Sequence, residues 1–235
     1  LVFFTGFAHT MSGLRNMCVL PVRVGAGVLV HGGNDRNPLS LVKRCERHQV
    51  TVLSTSPGFI SFVLGGGERV QMLLRRMPLK KILCTGSRLP EDDKRDLEKQ
   101  IGVPIHDYYG LTETGGACIL GANEPGLGLP VDCQATVFSE EGLEAGHGEI
   151  GELGVASENL MLRYLDGVSG CEARYLHGHF LTGDIVRKHS HGVIELLGRR
   201  DRLIAESSGE NIYPQPLEQK VLALSSVNDC FVAAR

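Results

Sequence analysis

Strand-length apolar runs and helix-period apolar stripes alternate along the first half of the chain. "VGAGVLVHGG" (24–33) reads as a buried strand running into a glycine turn. "NPLSLVKRCERHQ" (37–49) sets Leu39, Val42 and Cys45 on one helical face, behind a cap-forming Asn37 and a proline at the first helical position. "VTVLSTSP" (50–57) is β-branched and predicts a strand ended by Pro57. "GERVQMLLRRM" (67–77) predicts a helix, and "KKILCTGS" (80–87) a strand entering a turn. "LPEDDKRDLEKQIG" (89–102) has a proline near its start, acids in its first turn and a glycine at its end, all of them helix boundary signals. "VPIHDYYG" (103–110) predicts a further strand. Strand and helix in alternation predict βαβ units and a mostly parallel sheet.

From about Gly126 the pattern changes. Short alternating stretches are divided by glycine turns, as in "EEGLEAGHGEIGELGV" (140–155) and "RKHSHGVIELLG" (187–198), and predict an antiparallel β region. A second shift falls near Asp201, where "SSGENIYPQPLEQKVLAL" (207–224) predicts a strand-like stretch, a proline-bounded turn and a helix over 216–224. The fold class expected is therefore α/β: a mostly parallel sheet with helices (1–125), a smaller antiparallel β region (126–200), then the beginning of a small α+β domain (201–235).

Composition narrows the function classes. Hydrophobic residues make up 42% and charged residues 22%, the balance of a soluble protein with a core. A net charge of -3 gives no electrostatic case for nucleic acid or an anionic membrane, and no apolar run is long enough to span a bilayer. The seven cysteines are odd in number and widely spaced with no CxxC, which predicts reduced, mostly buried thiols and a cytoplasmic location.

Candidate chemistry centres on "HDYYGLTETGG" (106–116), too polar for a core strand and too glycine-rich for a helix. Ligands of open parallel sheets bind beyond the carboxyl ends of the strands, and both this run and "TGSRLP" (85–90) follow predicted strands onto one edge. A tyrosine ring offers a stacking face, a threonine hydroxyl meets phosphate oxygen, and a glutamate is a hard ligand for Mg²⁺. An adenine nucleotide with its metal would use them all; equally, the Thr and Glu could cap a following helix. In "HGHFLTGDIVRKHSHGVIELLGRRDRLI" (177–204), Asp184 in a glycine turn can take two ribose hydroxyls, and Arg199, after a strand, can reach the same sugar or a phosphate.

Ordered motifs "YGLTE" (109–113), "GEIGEL" (148–153), "FLTGD" (180–184), "GRRD" (198–201) and "SSGENIYP" (207–214) run across the chain. In them it resembles the adenylate-forming superfamily of acyl-CoA synthetases, aryl-CoA ligases, peptide-synthetase adenylation domains and luciferases. The resemblance implies ATP-dependent activation of a carboxylic acid as an acyl-adenylate, followed by transfer to a thiol. It implies a site residue by residue. Tyr109 stacks on adenine, with Gly86, Ser87 and Arg88 on its other face; Asp107 lies near the adenine amino group, and Tyr108 and Gly110 belong to the same nucleotide-binding run. Thr112 contacts the α-phosphate, Glu113 binds Mg²⁺, Asp184 holds the ribose and Arg199 supports it. His9, in "FAHTMSGL", lies by the acid's carboxylate, Gly115 leaves room for the acid, Asp201 is the hinge, and Gly209 lies on the loop that swings toward the thiol tunnel. The expected cofactors are ATP and Mg²⁺, with coenzyme A as thiol acceptor before a carrier protein, since "GENIYPQPLE" (209–218) is closer to fatty acyl- and aryl-CoA ligases.

The family's Ser/Thr/Gly-rich phosphate loop and C-terminal lysine do not occur in the sequence, which predicts a fragment of a larger enzyme, inactive by itself. Arg88, Arg163 and Ala205 depart from common family residues. The alternative expectation is a non-catalytic relative that binds nucleotide or a partner. Other motifs predict less: "HGH" (177–179) and "HSH" (189–191) lack zinc-ligand spacing, "GGG" (65–67) is a flexible connection, "GAG" (25–27) is no dinucleotide fingerprint, and the 91–99 charge run is a solvated helix face.

Overall fold

In a computed structural model, the described residues are 2–4, 10–30, 37–87, 89–121, 127–164, 174–205, 211–222, 224, 227 and 230–233. The chain falls into two compact units, Leu1–Gly121 and Ala122–Arg235.

In the first unit, strands β1 (Val2–Phe4), β2 (Val28–Leu29), β3 (Val52–Thr55), β4 (Lys81–Cys84) and β5 (Ile105–Leu111) make a parallel sheet in the order β2-β1-β3-β4-β5, with β6 (Gly116–Gly121) antiparallel beside β5. The helical segments are α1 (Met11–Gly13), a π-helical stretch Leu14–Val19, α2 (Leu20–Arg23), α3 (Pro38–Arg47), α4 (Pro57–Gly65), α5 (Gly67–Arg75) and α6 (Glu91–Ile101). Asn37 caps α3 by accepting from the Leu39 N–H at 3.0 Å, and α6 ends at Gly102. Leu53, Ile82 and Ile105 stand opposite one another on neighbouring strands, each at most 2% exposed. They share one core with Val42, Ile60, Val63, Leu74 and Leu97. Each such side chain contributes roughly 1.5–3 kcal/mol by leaving water.

The structure departs from the sequence expectation in four places here. Of the strand expected over 24–33, residues 31–33 lie outside the described residues; within 24–30 only Val28–Leu29 is strand and pairs with β1, while Val24 and Val30 are 71% and 59% exposed. Pro57 does more than end β3, because its fixed φ suits the first turn of α4. The helical run from Met11 to Arg23 was not foreseen; Gly13 and Pro21 look like breakers, but Thr10 caps the start by accepting from Gly13 N at 3.0 Å and Pro21 falls in the first turn of α2. The residues after "YYG" form no helix: they turn into β6, so the helix-cap alternative gives way to a hairpin.

In the second unit, β7 (Leu127–Pro130), β8 (Gln134–Phe138), β9 (Ile150–Ala156), β11 (His179–Lys188) and β12 (Ile194–Arg199) make an antiparallel sheet in the order β7-β12-β11-β9-β8, and β10 (Tyr175–Leu176) pairs with β11. Val137, Leu153, Val155, Phe180, Val186 and Leu197 are buried between its elements. β13 (Ile204–Ala205) pairs with β14 (Asn211–Ile212), and α7 (Pro214–Leu222) follows, two residues earlier than the sequence predicts.

Among the described residues no helix is long and apolar enough to cross a membrane. Cys45 and Cys84 are buried, and burial first of all pushes both thiols up to about 12. Cys18 is exposed and Cys133 and Cys230 are half-buried, so burial is less general than the cysteine pattern predicts.

Candidate functional site

In the first unit the parallel pairing of β4 with β5 sends both strand ends to one edge of the sheet. The Thr85 hydroxyl donates to the Tyr108 carbonyl at 3.0 Å and ties the two exits together. Gly86 and Ser87 follow, exposed; Arg88 lies outside the described residues. On β5 neighbouring side chains point to opposite faces. Asp107 turns toward α6, where its Oδ1 accepts from Lys94 Nζ at 3.0 Å. Burial works against the charge on Lys94, but the hydrogen bond and charge of Asp107, with Glu91 and Glu98, outweigh it and raise the ammonium pKa. Tyr108 turns the other way, its hydroxyl accepting from Arg15 Nη2 at 2.9 Å and Asn16 Nδ2 at 3.1 Å. Tyr109 follows on the Asp107 face, half-buried, at an irregularity in the hairpin register between Tyr109 and Gly110.

Thr112–Gly115 form the hairpin turn. Thr114 is 4% exposed and anchors it from beneath: its Oγ1 accepts from Leu111 N at 3.0 Å and bonds the carbonyls of Leu111 and Gly116 at 3.0 and 3.1 Å. With Thr114 inward, Thr112 is exposed and Glu113 half-buried. One carboxylate beside phosphate oxygens suits Mg²⁺, which keeps several waters. Among the described residues no three His, Cys, Asp or Glu side chains gather into a metal cage.

In the second unit the pairing of β11 with β9 slips between Leu181 and Ile185, and Thr182, Gly183 and Asp184 fill the break. Gly183 has φ +76, which favours glycine by conformation, and an added Cβ would meet Arg174 Nη2 and Arg199 Nη2 at 2.9 Å and push these arginine tips aside. The Thr182 hydroxyl donates to Leu153 O at 3.0 Å and accepts from Asp184 N at 3.1 Å. Asp184 is 4% exposed. Arg199, its register partner on β12, donates to Thr182 O at 3.0 Å and to Asp184 Oδ1 at 3.4 Å. Burial opposes the Arg199 charge, but Asp184 and Asp201 outweigh it and raise the guanidinium pKa. Asp201 is exposed, 3.5 Å from Arg199 Nε. Arg202, next in the chain, donates to Glu218 at 2.6 Å.

The structure thus brings Gly86, Ser87, Asp107, Tyr109, Gly110, Thr112, Glu113 and Gly115 to one sheet edge and its hairpin, and Asp184, Arg199 and Asp201 to one corner of the second unit. His9 and Gly209 lie outside the described residues. Three residues of these clusters escape the sequence reading. Lys94 sits within the run read as a solvated face, yet its side chain is 14% exposed; its i, i+3 spacing with Leu97 was the available signal. Thr114 carries no signal apart from its neighbours. Glu152, inside "GEIGEL", accepts from Gly183 N and from Arg200 Nη1, each at 2.8 Å. Of the histidines, buried His179 has Nε2 3.1 Å from the Thr136 hydroxyl and Nδ1 3.0 Å from the His177 carbonyl.

A parallel α/β unit with glycine turns at its strand ends, joined in sequence to an antiparallel unit with an Asp–Arg bulge, defines the adenylate-forming class of fold. The chain belongs to the family described as AMP-binding enzyme, whose sequence profile matches residues 1–165. It is 26% identical over 208 residues to the sulfoacetate–CoA ligase of Cupriavidus necator, covering 83% of this chain and 40% of that protein. It is 31% identical over 196 residues to the 2-succinylbenzoate–CoA ligase of Bacillus velezensis, covering 79% and 38%. The O-succinylbenzoate coenzyme A synthetase of Bacillus subtilis, solved in complex with AMP, superimposes with a TM-score of 0.86 at 25% identity over 100% of this chain and 48% of that one. The chain therefore spans about two fifths of the length of these curated relatives.

Proposed function

We propose that the whole protein activates a carboxylic acid with ATP and transfers the acyl group to coenzyme A. In the first half-reaction a carboxylate oxygen attacks the α-phosphorus of ATP, the bond to the β-phosphate bridging oxygen breaks, and pyrophosphate leaves. In the second the thiol sulfur attacks the acyl carbon, loses its proton, and AMP leaves. Tyr109 stacks on the adenine, with Gly86, Ser87 and Arg88 on its other face, and Asp107, fixed by Lys94, meets the adenine amino group. Tyr108 and Gly110 shape the strand beside it. Asp184 takes the ribose hydroxyls with Arg199 behind it. Thr112 orients the α-phosphate. Glu113 would hold Mg²⁺, which neutralises phosphate charge. His9 and Gly115 border the acid. Asp201 is the hinge between half-reactions, and the loop of Gly209 borders the thiol path. Such a site works by positioning and charge stabilisation.

The observation that carries this reading is the Thr112–Gly115 turn. Buried Thr114 holds it from below, so that Thr112 and Glu113 face outward on the edge where β4 and β5 both end. The names of the similar proteins, ligases of coenzyme A with sulfoacetate and 2-succinylbenzoate, favour coenzyme A over a carrier-protein thiol. The reaction belongs in the cytoplasm, in keeping with the buried, unbridged thiols of Cys45 and Cys84. The test is pyrophosphate exchange into ATP by the whole protein over a panel of carboxylic acids. Exchange that requires both an acid and Mg²⁺ is expected; ATP binding without exchange for any acid would make the protein a non-catalytic nucleotide binder.

A further inference from the structure

Arg15 projects from the π-helical stretch toward β5 and β6. Its Nε donates to Asn16 Oδ1 at 3.2 Å and its Nη2 to the Tyr108 hydroxyl at 2.9 Å. Asn16, 4% exposed, passes its own amide to Ser54 Oγ and to the Tyr108 hydroxyl, each at 3.1 Å. Two of the three guanidinium nitrogens are thereby fixed. The third, Nη1, is buried and has no hydrogen-bond partner among the described residues. It lies over Gly116, where an added Cβ would come within 2.0 Å of it, at a φ of +124. A glycine here keeps open the space that the guanidinium occupies. The Tyr108 ring, 5.1 Å from Cζ, meets part of the guanidinium charge, so what is left unmade is one buried donor, at roughly 1–3 kcal/mol, and such a group is explained when a ligand brings the acceptor.

The position selects the ligand. Asp107, which the proposed function gives to the adenine, faces α6, whereas Arg15 and Tyr108 lie on the opposite face of β5. The guanidinium is also next to Gly116, the residue that follows the Thr112–Gly115 turn. That face is away from the base, and since the proposed function gives the phosphates at this turn to Thr112 and Glu113, the acid is the substrate group left for Arg15. We propose, resting on the acid-activation reading above, that Arg15 is a specificity residue. Its free Nη1 receives a second oxygen acceptor on the substrate, foremost a second carboxylate, so the protein prefers acids that carry one.

The test compares chain-matched mono- and dicarboxylic acids in pyrophosphate exchange by the whole protein, with wild type, Arg15→Met and Arg15→Lys. A charge-assisted hydrogen bond of the usual strength predicts that wild type favours the dicarboxylate in kcat/KM by about tenfold or more. Arg15→Met abolishes that preference by lowering the dicarboxylate value alone, with KM for ATP unchanged, and Arg15→Lys restores part of it. Equal use of both acids by wild type overturns the assignment, and this arm needs no variant to fold. An Arg15→Met effect of the same size on both acids, or a raised KM for ATP, overturns it too, while acid activation stands. No exchange with any acid overturns acid activation itself.

Discussion

Arg199 reaches from β12 to Asp184 on β11, donating to its Oδ1 at 3.4 Å and to the Thr182 carbonyl at 3.0 Å. The arginine clamps a carboxylate that is 4% exposed without shielding it in a bidentate pair. If Asp184 holds a ribose, Asp184→Asn removes a charged acceptor for two hydroxyls. A loss of about 1.5–3 kcal/mol in nucleotide affinity is expected, roughly ten- to hundredfold in Kd for AMP. Isothermal titration of AMP checks it, and an unchanged Kd would remove Asp184 from the site.

Glu152 holds the same bulge from the other side, through Gly183 N at 2.8 Å, and holds Arg200 as well. The two bonds differ in worth. Arg200 is 68% exposed and its ion pair is screened, so Arg200→Ala is expected to change AMP affinity and stability little. The Glu152 side chain is 12% exposed, and Glu152→Ala leaves Gly183 N without its acceptor. It should weaken AMP binding by about tenfold, in line with a lost hydrogen bond to a charged group. Comparing the two variants by titration separates loop support from the ion pair.

Thr114 predicts a stability effect with a functional consequence. Thr114→Val keeps the shape and removes the hydroxyl that satisfies Leu111 N, for an expected loss of about 1–3 kcal/mol. Urea unfolding reads that loss, and Thr114→Ser should recover most of it. Because the turn carries Thr112 and Glu113, kcat for exchange should fall with Thr114→Val and recover with Thr114→Ser.

Glu218 predicts an acid dependence. Its carboxyl accepts from the backbone N–H of Val232 at 2.9 Å and from Arg202 at 2.6 Å, and these hold its pKa below the usual 4.5, the Val232 bond most of all. A carboxyl whose folded pKa is depressed adds stability above the unfolded pKa and loses it as pH falls through the folded value. Wild type should therefore exceed Glu218→Gln in melting temperature near neutrality, and the gap should close as pH drops below about 4.5. A gap constant from neutral to acid pH would contradict this.

Much of the first unit was legible because its strands and helices carry local signals. Asn37 with Pro38 begins a helix, Gly102 ends one, and Val52–Thr55 begins and ends on β-branched residues. What escaped depended on contacts distant in sequence. Met11–Arg23, which contains Gly13 and Pro21, carries no clear helix signal, and capping by Thr10 makes its start helical. Lys94 looks solvated until Asp107 is brought beside it from β5. In the candidate site, motif order marked Thr112, Glu113, Asp184 and Arg199, whose chemistry shows in the residue types themselves. The groups that hold them, Thr114 and Glu152, act through backbone atoms and distant partners, which spacing in the sequence does not reveal.

Isotope transfer tests the central claim most directly. The whole protein is given ATP, Mg²⁺, coenzyme A and an acid that supports exchange, its carboxylate labelled with oxygen-18, and the AMP is examined by mass spectrometry. Attack of the carboxylate on the α-phosphorus predicts one labelled oxygen in each AMP released. Label in inorganic phosphate, with ADP as the other product, would contradict acyl-adenylate formation.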